Sequence, residues 1–94
     1  MKRMSKIIKR FVLIQNRKGL HARASAQVVK ITELYKSTTY VSFQDMRVPA
    51  QSIMGLLMLG AGQGAQLIIE AEGVDAEAVI AALEDLIENK FGEM

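Results

Sequence analysis

Apolar side chains recur along this chain with two different periods, and each change of period marks a new element. Ile8-Lys9-Arg10-Phe11-Val12-Leu13-Ile14 is rich in β-branched and aromatic residues, and turn-forming Asn16 and Gly19 follow it. This predicts a strand. From Ala22 to about Tyr35, the residues Ala22, Ala26, Val29, Ile31 and Leu34 recur at roughly helical spacing, with polar Gln27, Lys30 and Glu33 between them. The pattern predicts an amphipathic helix that begins at His21 or Ala22. Alternation then returns over Ser37 to Phe43, with Thr39, Val41 and Phe43 on one face and Thr38 and Tyr40 on the other. Gln44-Asp45 forms a tight turn into a short third strand, Met46 to Val48. Pro49, the only proline, is expected to end it, because proline cannot continue a central ladder.

Ser52 stands as a candidate N-cap for a short and very apolar helix from Ile53 to about Leu59. Gly60-Ala61-Gly62-Gln63-Gly64 closes that helix and is expected to be a flexible connection. A nucleotide-loop reading fails, since the run follows a helix rather than a strand and no Lys-Ser or Lys-Thr comes after it. Gln66 to Glu72 is a fourth strand. Asp75 is expected to cap the last helix, where Val79, Ile80, Leu83, Leu86 and Ile87 share one face up to about Phe91, and Gly92 ends it. The order is β-α-β-β-α-β-α. It predicts an α+β open-faced sandwich: a four-stranded, mainly antiparallel sheet with three helices on one face and a more exposed second face.

Composition narrows the picture without changing it. Ninety-four residues, half of them hydrophobic, suit one small domain with its own core. The absence of cysteine excludes disulfides, thiolate metal sites and thiol catalysis, and fits a reducing cytoplasm. No apolar run approaches the ~18 residues that a membrane span needs. Five of the twelve basic residues (Lys2, Arg3, Lys6, Lys9, Arg10) lie in the first ten positions, leaving a body charge of −3 from position 11 onward. Residues 1–6 are therefore expected to be a flexible basic extension, with Met4 as an alternative start, and residues 7–94 the single domain. Nucleic acid is not an expected partner, because no aromatics are interleaved with the basic residues.

Candidate chemistry centres on His21, the only histidine, placed where the first strand gives way to the first helix. The first amides of that helix, around Ala22 and Arg23, lack intrahelical acceptors and suit an anion. The helix dipole disfavours imidazolium, keeping a ring lone pair available below the ordinary pKa of about 6.5. Arg23 offers a planar donor fork, Arg17 or Lys18 adds charge, Gly19 permits backbone geometry that a side chain would hinder, and Leu20 can pack inward. No carboxylate lies nearby in sequence to orient the ring, so an oriented dyad is not expected.

Gly19-Leu20-His21-Ala22-Arg23, together with Gln51-Ser52-Ile53-Met54-Gly55-Leu56-Leu57-Met58-Leu59, resembles HPr, the histidine phosphocarrier of the bacterial phosphoenolpyruvate-dependent phosphotransferase system. The resemblance spans about residues 7 to 91. It implies a stoichiometric carrier rather than an enzyme, phosphorylated by enzyme I on Nδ1 of His21 and relieved of the phosphoryl group by an enzyme IIA-type protein. It further implies that Arg23 and the amides at Ala22 and Arg23 hold the phosphate, with no metal or organic cofactor, and the nearby charge of Arg17 makes it a further candidate phosphate-binding residue. Leu20, Lys30, Ile53, Met54 and Leu57 become the expected partner surface on a monomer, and Glu33, where a basic residue is often found, is expected to alter partner preference. Ser52 matches the serine modified by an HPr kinase/phosphorylase, so a regulatory protein-binding domain switched at Ser52 is the alternative reading. Ala24 stands where the family commonly has proline. The Ala24-Ser25 pair, the Leu-rich second motif and the Phe91-Gly92-Glu93 ending are similar to the nitrogen-related branch and to proteobacterial HPr forms acting mainly in regulation, and the resemblance implies a sugar or a nitrogen-regulatory phosphotransferase system.

Overall fold

The computed structural model describes residues 6–93. Of the expected basic extension only Lys6 falls among them, and the alternative start at Met4 lies outside. The elements are β1 (Ile7–Leu13), α1 (Ala22–Thr32), β2 (Thr38–Phe43), β3 (Met46–Pro49), α2 (Ile53–Met58), β4 (Gln66–Glu72) and α3 (Ala76–Glu88), followed by a 3-10 turn at Lys90–Gly92. The strands form one antiparallel sheet in the order β1-β4-β2-β3. The expected α+β sandwich is what forms.

Register follows from side-chain alternation, since a one-residue slip would turn every core residue to the other face. Val12 lies opposite Leu67, and Val41 opposite both Ile69 and Val48, all of them buried under the helices. Ile7, Phe11 and Leu13 point from the other face and are exposed. Leu56 and Leu59 of the α2 region, with Val79, Ile80, Leu83 and Ile87 of α3, complete the core. Each such Leu or Ile contributes about 1.5–3 kcal/mol by leaving water.

Several elements differ from the sequence expectation. The buried residues of α1 are Ala24, Ser25, Val28 and Thr32, while Ala22 and Leu34 are exposed and Ala26, Val29 and Ile31 are half-buried. The misreading arose because two hydroxyls lie on the buried face. Both bond locally: Ser25 Oγ donates to Leu20 O at 3.4 Å and Thr32 Oγ1 to Val29 O at 2.8 Å. Such bonds offset the cost of burying a hydroxyl. As expected, Pro49 ends β3, as its last residue and opposite Tyr40 on an edge strand where a missing N–H costs no ladder bond.

Asp75 precedes α3 but makes no side-chain cap. Its carboxylate instead accepts from Lys36 N at 2.8 Å, from Ser37 N at 2.9 Å and from Ser37 Oγ. These bonds hold its pKa below the ordinary 3.8. α3 stops at Glu88, short of Phe91, and Lys90, Phe91 and Gly92 then all adopt positive φ (59°, 55° and 79°), turning the chain back. Lys6, expected in the flexible extension, is tied to the fold: its carbonyl accepts from Gly73 N at 2.9 Å and its ammonium pairs with Glu77 at 3.3 Å.

Candidate functional site

The loop between β1 and α1 is fixed from below by the glycine run, which is not the free connection its composition suggests. Gly64 N donates to Ile14 O at 2.8 Å, Ile14 N to Ala65 O at 2.9 Å, and Leu20 N to Ala61 O at 3.0 Å. Gly19 adopts φ +65°, and a Cβ there would sit 2.5 Å from Ala61 O and 2.7 Å from Gly62 Cα. Only glycine fits both that conformation and that approach. Leu20 then drops into the core at 5% exposure, which removes its side chain from the expected partner surface. A leucine beside the candidate histidine reads equally well as a docking group or an anchor; here it is the anchor.

His21 is the N-cap of α1 with extended backbone (φ −80°, ψ −176°), and its side chain makes no cap bond. The first helical hydrogen bond runs from Ser25 N to His21 O at 2.8 Å, so the amides of Ala22, Arg23 and Ala24 precede the intrahelical ladder. His21, Arg17, Lys18, Arg23 and Glu93 line an open depression of about 830 Å³. No ion pair ties Arg17, Lys18 or Arg23 to another described residue. Their charge is not spent on a described carboxylate.

The expectation that no carboxylate orients the ring is overturned. Glu93 reaches His21 from 72 positions away, its Oε2 in contact with ring Nε2. Its other oxygen accepts from Asn16 Nδ2 at 3.0 Å, and the same amide group donates to Gly19 O at 2.9 Å. The bonds from His21 and Asn16, in that order, hold the Glu93 carboxyl below its ordinary 4.5, with the charges of His21 and Lys18 adding to the effect. Nδ1 of His21 has no hydrogen-bond partner among the described residues. Sequence spacing carried no signal for Glu93, since the contact exists only once the tail has turned back. Asn16 stood out only as a turn residue, yet it is buried at 1% exposure.

A family model described as the PTS HPr component phosphorylation site matches residues 8–89. The chain belongs to the HPr family. It is 41% identical over 87 residues to the phosphocarrier protein HPr of Neisseria meningitidis serogroup A, covering 93% of this chain and 98% of the relative. It is 40% identical over 87 residues to the HPr of Cupriavidus necator, again covering 93% of this chain and 98% of the relative. The crystal structure of HPr-C-His from Thermoanaerobacter tengcongensis superimposes with a TM-score of 0.88 at 42% identity, covering 93% of this chain and 98% of that one. A structure described as an HPr dimer from the same organism gives 0.74 at 45% identity, covering 87% and 94%. As an HPr, the chain is a phosphocarrier of the phosphotransferase system and not a catalytic enzyme.

Two further regions of this HPr bear on the expected sites. Ser52 caps α2 as predicted, its Oγ accepting from Gly55 N at 2.9 Å. Behind it Ile53, Met54, Leu57 and Met58 are exposed while Leu56 and Leu59 are buried, so the apolar excess of α2 divides between core and surface. Lys30 and Glu33 are exposed at the C-terminal end of α1, which packs on α2. Among the described residues no helix is long and apolar enough to cross a membrane, and no cluster of His, Cys, Asp and Glu could hold a metal ion.

Proposed function

We propose that His21 accepts a phosphoryl group from enzyme I on Nδ1 and passes it to an enzyme IIA-type protein. The observation that carries this reading is a histidine at a helix start whose Nδ1 has no described partner, set in a depression with three cationic side chains that pair with no described carboxylate. The Nδ1 lone pair forms the bond to phosphorus as the bond from phosphorus to the donor atom of enzyme I breaks and its electron pair returns to that atom. Arg17, Arg23 and the amides of Ala22 and Arg23 offset the charge of the phosphoryl oxygens where it collects. Onward transfer reverses the bond order of events on the acceptor. The direct test is incubation with enzyme I and phosphoenolpyruvate. An acid-labile phosphate that His21→Ala abolishes supports the reading; none on the wild-type chain overturns it.

The exposed side chains of Ile53, Met54, Leu57 and Met58, with Lys30 as a basic rim, form the docking surface in this reading. Methionine suits successive partners, since its flexible side chain repacks. We assign the carrier to a nitrogen-regulatory system in the cytoplasm, acting as a monomer; Ala24 in place of proline and the Phe91-Gly92-Glu93 ending support that branch. Presenting the phosphorylated carrier to purified sugar-specific and nitrogen-related IIA proteins decides it by which one takes the label. Ser52 supports a second, compatible reading as a site for HPr kinase/phosphorylase. A phosphate there stays at a helix start while placing about two negative charges beside the docking surface. Ser52→Asp is accordingly expected to fold and to accept phosphate at His21 more slowly.

A further inference from the structure

We propose that Glu93, tethered by Asn16, is the positioning residue for phosphoryl acceptance: its carboxylate holds the proton on Nε2 of His21 and so reserves the Nδ1 lone pair for phosphorus. This rests on the phosphocarrier reading of His21 and assigns that site a part not found in its local sequence.

Three observations carry it. The carboxylate is divided between two donors, one oxygen on His21 Nε2 and the other 3.0 Å from Asn16 Nδ2. Asn16 is buried and holds the backbone of the reactive loop through Gly19 O at 2.9 Å, so one amide group fixes the carboxylate relative to the loop that carries the histidine. The tail is built to deliver Glu93 there. Three consecutive residues, Lys90, Phe91 and Gly92, take left-handed backbone geometry, and two of them are not glycine. Such geometry is disfavoured for residues with a Cβ. Phe91, buried at 3% exposure, anchors the reversal in the core.

The charges around the ring separate by role. Arg17 and Lys18 from the β1–α1 loop and Arg23 from α1 face the depression as cations, and Glu93 is the one acidic residue that lines it among the described residues. The cations suit the phosphoryl oxygens. The carboxylate suits the ring, because of how the transfer balances. A neutral imidazole that keeps its Nε2 proton while Nδ1 bonds to phosphorus becomes a positively charged phosphoimidazolium. Glu93 offsets that positive charge through the hydrogen bond it already makes, as the carboxylate of an acid–histidine pair does for an imidazole that gains a proton. When the N–P bond breaks in onward transfer, the pair returns to Nδ1 and the ring is neutral again with its proton in place. The bonds from His21 and Asn16 hold the Glu93 carboxyl below its ordinary 4.5, so the ring faces a carboxylate at neutral pH.

Glu93→Ala and Glu93→Gln in the full chain separate these roles. Glu93 lies in the tail beyond α3, and melting temperature measured alongside identifies any loss of fold. The first readout is the His21 Nε2–H proton by NMR, expected downfield and protected from exchange in the wild type, lost in Glu93→Ala, and retained but shifted in Glu93→Gln, whose carbonyl still accepts. The second is the rate of phosphoryl acceptance from enzyme I. Glu93→Ala is expected to lower it about tenfold, the scale of a lost hydrogen bond to a charged group. Glu93→Gln should fall between the two. A wild-type chain that takes no phosphate overturns the phosphocarrier reading. A wild-type chain that takes it, with folded Glu93→Ala matching its rate and showing the same Nε2–H signal, overturns the role of Glu93.

Discussion

The starts of α1 and α2 receive residues of similar extended backbone geometry, His21 at φ −80° and Ser52 at φ −108°, and use them in opposite ways. Ser52 turns its hydroxyl back on the helix and occupies the amide of Gly55. His21 turns its ring away, leaves the amides of Ala22, Arg23 and Ala24 ahead of the helical ladder, and gives its Nε2 to a carboxylate from the far end of the chain. A cap stabilises a helix by satisfying its first donors; an anion site needs those donors unspent. In the proposed reading the same local position serves stability in one helix and chemistry in the other, and the two ought to respond differently to mutation.

The largest contrast lies in phosphoryl transfer. His21→Ala is expected to reduce acid-labile phosphate from enzyme I and phosphoenolpyruvate to background, with the far-ultraviolet circular dichroism of the fold retained. Its side chain makes no cap bond, so α1 does not depend on it. A variant that unfolds would mean that His21 caps after all, and would erase the distinction between the two helix starts.

Next in size is Gly19→Ala, which tests whether the α1 start is held open by the loop beneath it. The added Cβ meets Ala61 O at 2.5 Å and Gly62 Cα at 2.7 Å, both backbone, so neither neighbour can swing aside. The left-handed φ of +65° adds strain of its own, about 1–2 kcal/mol for a residue with a Cβ. A loss of about 2–4 kcal/mol in urea unfolding is expected, within the range of local strain combined with overpacking. Slower phosphorylation of His21 should accompany it. A loss below about 0.5 kcal/mol would show that the glycine run yields, as its composition alone suggests.

Much of this was legible in the sequence, and the pattern of what was not is physical. Strand β2 declared itself because Thr39 and Val41 face the core while Thr38 and Tyr40 do not, and α2 declared itself through Ser52 and its excess of apolar residues. Both signals are local. The inward face of α1 was misjudged because Ser25 and Thr32 are buried polar residues whose bonds to Leu20 O and Val29 O cannot be read from polarity. His21, Arg23 and Arg17 line one depression and belong to one loop and one helix turn, so their proximity is local in sequence. That of Glu93 is not, since only the reversal at Lys90–Gly92 brings it to the ring. Asp75 failed for the same reason, its carboxylate spent on Lys36 and Ser37 across the fold instead of on its own helix.

Ser52→Ala is the smaller, purely structural counterpart to His21→Ala. Removing the acceptor of Gly55 N should cost about 1 kcal/mol. For a domain of this size that lowers the melting temperature by roughly 4–8 °C. Phosphate acceptance at His21 in a saturating enzyme I assay should stay near wild type. Thermal unfolding and labelling on the same sample check both halves. A carrier that melts normally but transfers poorly would reverse the roles assigned to the two starts.

The smallest effect belongs to the third helix start, where Asp75 occupies the cap position of α3 but bonds to the turn before β2. Ser37 and Lys36 hold its carboxyl below the ordinary 3.8, so the folded state binds this proton less readily than the unfolded state does. Stability from these bonds is therefore complete above the unfolded value. It is lost as pH falls through that value toward the depressed folded one. Asp75→Asn removes the titration, and its urea midpoint should fall less than that of wild type between about pH 5 and pH 2.5. The remaining slope in the variant includes Glu93, whose carboxyl is depressed in the same direction from 4.5, so Asp75→Asn/Glu93→Gln should be flatter still. Equal slopes for wild type and Asp75→Asn would show that Asp75 leaves Ser37 in solution, and would return it to the role its place before α3 first suggested, a cap like Ser52.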